Sequence, residues 1–383
     1  MFASKKVRTA LFVAVVLLIS IFMYFFSQSP EKKYNEQGGT AYTKYEKAKV
    51  LKVISEDLER DATRGGLYQG SQELEIKIVS GEHKGEVQTI TNNVSVYLNV
   101  PVKAKQTIIV DIGTADSTHY SISVYSYYRA PIMLAMVLLF FAMLWWIGGK
   151  KGLKSVLGII FTFASIIYLF IPMLYRGYSP VLASVLIVIL TTCITLLLLN
   201  GWSSKSLAAI LGTTIGVAIA GIIAYISGDL VHISGYNTAE VESLIVVADE
   251  TGMQLKGLLF AGILLASLGA ITDVGISIAA AVHEVYLANP NLSKKELFIS
   301  GINVGRDLMG TMANTLILAF TGTSLTSLMV IYAMKVPLTQ LTNMNLVTIE
   351  VIQGITGCFG VVLTVPIVAY IASRIIPISE KRP

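Results

Sequence analysis

The chain has 383 residues, of which 54% are hydrophobic and only 14% charged, with a formal net charge of +5. Soluble domains carry about 25% charged residues, so the composition excludes an ordinary soluble fold and fits several membrane helices plus one small domain. The small positive excess is no nucleic-acid footprint, and the two cysteines, Cys193 and Cys358, sit in apolar stretches with neither disulfide nor metal-ligand spacing.

Residues 1–29 place Lys5, Lys6 and Arg8 before a long apolar run. A signal peptide usually has a shorter apolar core, so this segment is predicted to be an uncleaved transmembrane anchor. Residues 30–128 differ in kind. Acidic and basic residues balance there, and stretches such as ELEIKIVSG and QTIIVDIG alternate with period two. Gly65, Gly66, Gly81 and Gly85 punctuate them. Five or six short strands are predicted, forming a small external β-barrel-like domain of OB type or a sandwich. It reads either as a folded assembly module or as a ligand sensor. His83 and His119 read as surface or turn residues.

Residues 129–383 read as a seven-helix membrane domain. Spans are predicted at about 130–147, 154–175, 180–199, 206–227, 257–285, 306–331 and 347–376, making eight with the anchor. Lys and Arg bias the loops: Lys150, Lys151, Lys154, Lys205, Lys294, Lys295, Arg374, Lys381 and Arg382 fall on the side of the N-terminus. Both termini are therefore expected in the cytoplasm, with residues 30–128 outside. The external loop 228–256 is acidic, through Glu240, Glu242, Asp249 and Glu250, and its SLIVVAD stretch reads as an amphipathic or re-entrant piece. Asp229 and His232 lie three apart at its start and fall short of a metal site. Gly212 and Gly216 read as helix packing, and Gly357 to Pro366 offers a break in the last span.

The chemistry concentrates at 257–331. Asp273, His283, Glu284, Arg306 and Asp307 lie in or beside apolar helices, where charge costs roughly 2.5–3.5 kcal/mol per residue and usually marks function. At helical spacing Asp273, Ser277 and Glu284 share one face, and Asn303, Asp307, Gly310, Asn314 and Thr321 share another. Antiparallel packing is expected to bring Glu284 close to Arg306. The bland alternative is a buried structural ion pair.

The stretches TDVGISIAAAVHEV and GRDLMGTMANTLILAFTGTSL resemble the YibE/F family of bacterial multi-pass membrane proteins. The resemblance is specific over about 255–325, and the anchor and soluble region suggest the YibE-like arrangement. It implies an α-helical polytopic membrane protein and a homologous partner subunit or homo-oligomer. It names no activity.

The expectation is therefore a transporter or permease-like protein of the bacterial cell membrane. Its polar path would use Asp273, Ser277, Asn303 and Asn314, with a charged gate of Glu284, Arg306 and Asp307. One alternative is a scaffold or accessory subunit that binds an envelope partner through its β domain. Another is an intramembrane enzyme, although no nucleotide loop, nucleophile elbow or metalloprotease motif occurs. No catalytic residue, metal or cofactor is expected, and the partners are the lipid bilayer and a small solute or ion rather than nucleic acid.

Cysteines placed singly at Ser71 and Ser155 test the orientation. An impermeant thiol reagent applied to whole cells is expected to label the first and not the second. The reverse pattern would overturn the assignment.

Overall fold

The structure is a computed structural model that describes residues 5–28, 42–116, 119–237 and 241–380. The 29/30 boundary, Glu240, Lys381 and Arg382 lie outside the described residues. The chain divides into two compact units, Asn35–Met143 and a second formed by Met1–Tyr34 with Leu144–Pro383.

In the first unit, strands β1 (Tyr42–Asp61), β2 (Leu67–Ile78), β3 (Val87–Val94), β4 (Thr107–Asp116) and β5 (His119–Tyr127) form one antiparallel sheet. Its order is β3-β2-β1-β4-β5. Alternation explains the core: Leu74, Ile76 and Ile78 point inward between the outward Glu73 and Lys77, and meet Val50, Ile108 and Ile112. Irregularities in β1 between Val50 and Lys52 and between Val53 and Ser55 let that long strand serve both halves of the sheet. The sheet curls, and the Tyr120 hydroxyl ties its outer strands together. It donates to Glu86 and accepts from Gln88, and its ring lies 4.4 Å from that of His83. The hydrogen bonds to Glu86, from the Tyr120 hydroxyl first and then from His83 Nδ1 at 3.1 Å, hold its carboxyl below the usual range.

A buried amide pair anchors the segment before β4. Gln72 accepts from the Val102 N–H at 2.9 Å and donates to its carbonyl at 3.0 Å. Asn92 donates to Gln72 at 3.1 Å and to the Val100 carbonyl at 2.9 Å.

The second unit is helical. Its elements are α1 (Lys5–Gln28), α2 (Ala130–Ser165), α3 (Ile171–Tyr175), α4 (Pro180–Asn200), α5 (Ser204–Leu230), α6 (Val241–Thr251), α7 (Leu258–Ala288), α8 (Lys294–Thr323), α9 (Leu325–Ala333), α10 (Leu338–Leu341) and α11 (Asn345–Glu380), with α2 beginning in the first unit. Among the described residues six helices are long and apolar enough to cross a membrane, or seven if α8 and α9 count as one bent span. Residues Ala130–Tyr175 run as one helical stretch of 46 residues, where two spans were expected. It is not straight. Gly149 takes φ 52°, ψ −132°, open to glycine at little cost. A Cβ on Gly152 would stand 1.9 Å from the Leu144 carbonyl oxygen. Eight residues of straight helix span about 12 Å, so the chain doubles back at the Gly-Gly-Lys-Lys elbow.

The bundle core lies between α5, α7 and α11, with α4 against α5 and α7 and α8 against α7 and α11. Val217, Ile271, Ile278, Val361 and Val368 fill it. Helix α1 packs on the turn Ile166–Phe170, buries Met23, and receives Arg176 at 3.7 Å over the Phe26 ring. The SLIVVAD stretch lies in α6, largely exposed.

Two boundaries differ from expectation. Helix α8 begins at Lys294, well before residue 306, because Ser293 and Glu296 form a capping box. Gly357 to Pro366 offered either a break or a simple kink, and α11 runs through Pro366 as helix. The bend falls instead at Ser324, where α8 and α9 meet at 62°.

Gln72→Leu is expected to destabilise the sheet by about 2–3 kcal/mol, because it strands the Val102 backbone groups and the Asn92 amide in the core. Limited proteolysis of the full chain measures this, with exposed Gln69→Leu as control. Equal resistance of the two variants would refute it.

Candidate functional site

Helices α7 and α8 each carry one close-packed side and one open side. On α7, Ile271, Val274, Ile278 and Val282 are buried. Asp273, Ser277 and Glu284 are exposed on the opposite side, together with Gly262, Ala266 and Gly269. On α8, Leu297, Gly301, Gly305 and Leu316 are buried. Asn303, Arg306, Asp307, Gly310, Asn314 and Thr321 are exposed. The 3.6-residue period thus keeps these charged and amide side chains on the side facing out of the bundle, where Ile299, Ile317 and Leu318 are exposed with them.

The glycines show the same division. A Cβ on Gly301 would lie 2.9 Å from both Val282 and Ala369, and one on Gly305 would lie 3.1 Å from Ile278 and 2.2 Å from Val365. Those positions let α8 press against α7 and α11. A Cβ on Gly262, Gly269, Gly310 or Gly322 would meet nothing within 4 Å.

These contacts fix the register. With Gly301 against Val282 and Gly305 against Ile278, Arg306 lies level with Ser277 and Asp273 level with Gly310. Glu284 lies level with Ile299, roughly 10 Å along the axis from the Arg306 level, whereas Asp273 is within about 6 Å of it. The structure therefore does not bring Glu284 and Arg306 together. The early start of α8 carries Arg306 deeper, towards the Asp273 level. Glu284 instead has His283 beside it, Nδ1 to Oε1 3.8 Å. Among the described residues, no hydrogen bond or ion pair within the chain engages Asp273, Arg306, Asp307, Asn303 or Asn314.

Arg306 stands about 18 Å along α8 from Lys294, well inside a helix that together with α9 is long and apolar enough to cross a membrane. Charge at that depth usually faces protein or a water-filled space. Here it faces outward from a single chain whose α5/α7/α11 interior is filled by apolar side chains and a few hydroxyls such as Thr213, Ser267 and Thr364. The arrangement is suited to joining a second protein surface, or to lining a wet space between two.

Asp229 and His232 border a cleft of about 350 Å³ with Lys256 and Tyr236. The sequence reading passed over Glu350, whose Oε2 is buried. Its one signal was its place as the only charged residue in the apolar run 346–373.

Residues 136–378 match the YibE/F-like protein family, and residues 41–127 match the YibE/F family N-terminal domain. No curated protein and no solved structure gave a match. With family matches over both its β region and its helical region, the chain belongs to the YibE/F family.

Proposed function

We propose that the protein is a permease-type subunit of a bacterial cell membrane, working as an oligomer whose α7/α8 faces meet and line a polar path between subunits. The observation that carries this reading is the outward display of Asp273, Ser277, Asn303, Arg306, Asp307 and Asn314 on helices of membrane length. In this reading the chain crosses the membrane eight times, the Gly149 elbow separating two spans, with both termini cytoplasmic. The curled sheet then forms a partly open, OB-like barrel outside.

A second copy is the fitting partner. A twofold axis along the membrane normal keeps every residue at its own depth. Arg306 and Asp307 are consecutive, about 1.5 Å apart in depth, so each can meet the other's counterpart across the axis. The open glycines 262, 269, 310 and 322 allow close helix approach there. A path within one subunit has less support, because the buried residues described there include hydroxyls such as Thr213, Ser267 and Thr364 but no charged side chain. The scaffold reading rests on a different surface: Tyr97, fully exposed beside exposed Leu98, and the Tyr45–Tyr125 pair at 4.7 Å. An envelope partner would find aromatic anchors there.

Charge reversal tests the assembly. Arg306→Asp and Asp307→Arg, made singly, are each expected to weaken the oligomer at least tenfold in lipid nanodiscs. The double exchange is expected to restore it. A wild-type chain that stays monomeric in lipid, or single variants that assemble normally, would remove the proposed interface.

Asp273→Asn separates assembly from function. It preserves shape and removes charge, so membrane abundance and oligomeric state are expected to stay at the wild-type level. Complementation of the deletion strain is expected to fail. Full complementation by the Asn variant would take Asp273 out of the path.

A further inference from the structure

Glu350 is a further carboxylate in a membrane-length helix, carried by α11 rather than by α7 or α8. It lies in the second turn of α11, with Oε2 buried and without a hydrogen-bond partner. Among the described residues no cation pairs with it. It borders a cleft of about 260 Å³ together with Phe320, Thr321, Ser324, Leu328 and Leu346.

The cleft sits where α8 bends by 62° into α9. Its polar atoms favour positive charge. Ser324 closes α8 and opens α9, so the negative end of one helix dipole meets the positive end of the next and the side chains decide the sign. The backbone there is nearly self-satisfied, with Ser324 N–H donating to the Phe320 carbonyl at 3.2 Å and Thr323 Oγ1 donating to the same carbonyl at 2.8 Å. That leaves the Glu350 carboxylate as the strongest acceptor, with the Thr321 and Ser324 hydroxyls beside the cleft. The remaining wall is apolar, from Ile317, Phe320, Leu328 and Leu346.

We propose that this cleft binds an organic monocation, an ammonium bearing a short apolar chain, with its charge on Glu350. Hard metal cations are ordinarily held by six or more oxygens, or keep several waters. One carboxylate and two hydroxyls amid hydrocarbon walls do not supply that shell, and no cluster of three His, Cys, Asp or Glu residues is found among the described residues. An alkylammonium uses both parts of the cleft. Its head neutralises a carboxylate that is costly to leave unpaired, and its tail covers Leu328 and Leu346. The Phe320 ring offers a further aromatic contact for the head.

The test is calorimetric titration of the full chain in lipid nanodiscs with n-butylammonium. Controls are n-butanol, of similar shape without charge, and sodium at the same ionic strength. Saturable binding of butylammonium is expected, at least tenfold tighter than butanol. Glu350→Gln keeps the shape of the side chain and is expected to lower affinity at least tenfold. Gly354→Leu supplies a steric test: Gly354 lines the cleft, and a Cβ there meets nothing within 4 Å, so the fold is expected to hold while the site fills. Melting temperatures without probe confirm that both variants fold. Absence of saturable binding to the wild type would overturn the proposal. So would unchanged affinity in both folded variants, or tighter binding of sodium than of butylammonium.

Discussion

A charged side chain in hydrocarbon has no water to solvate it, and in this chain Asp273, Arg306 and Asp307 point away from their own bundle. The backbone meets the same constraint by becoming helix, which satisfies every N–H and C=O locally. Side chains have no such local remedy. They must be paired, reach the interface, or be covered. Arg306 lies about 18 Å along its helix, and among the described residues no hydrogen bond or ion pair engages it. A second protein surface or a water-filled space would cover it, and the proposed oligomer would supply both.

Covering in turn demands close approach. Hydrophobic burial does not hold helices together in lipid, because the solvent is as apolar as the side chains. Packing of small residues does. Within the chain this is visible at Gly212 against Val368, Gly216 against Thr364 and Gly360 against Ile271, all nearer than an added Cβ would tolerate. Wherever a glycine has bought no contact inside the chain, it costs the helix about 1 kcal/mol relative to alanine. Gly262, Gly269, Gly310 and Gly322 carry that cost on the polar side of their helices.

How much could be read from the sequence follows from which forces are local. The membrane helices were legible because hydrophobic runs of that length have few other uses. The strands were legible because ELEIKI alternates with the pleat. The exposed sides of α7 and α8 were legible as faces, since spacing sets azimuth. Their depth was not. The KKEL segment after Ser293 looked like a basic loop, and the capping box that starts α8 there shifted the register against α7 by several residues. Glycine and proline likewise signalled only the opportunity for a break. Pro366 is exposed within a continuous α11. Ser324, which carries no strong breaker signal, marks the actual bend. Which site bends is decided by what packs on either side, and that is tertiary information. Glu350 was passed over for the same reason: a carboxylate near a span end looks solvated until the α8–α9 bend is seen to close around it.

Helix α8 brings these points together. Its packing within the bundle is against α7 and α11, so one side is held and the rest is free. On the held side Gly301 and Gly305 press into neighbouring side chains. On the free side Gly310 and Gly322 leave equal room with nothing in it. A helix that only closed the edge of a monomer would carry bulky apolar residues outward, as α2 does from Ile132 to Phe140. Outward, this one mixes polar Asn303, Arg306, Asp307, Asn314 and Thr321 with apolar Ile299, Ile317 and Leu318, and inward it sets Gly301 and Gly305 between Leu297 and Leu316. Lipid alone would suit the apolar part of that outer side and leave its charges uncovered, which is the strain the proposed assembly would relieve.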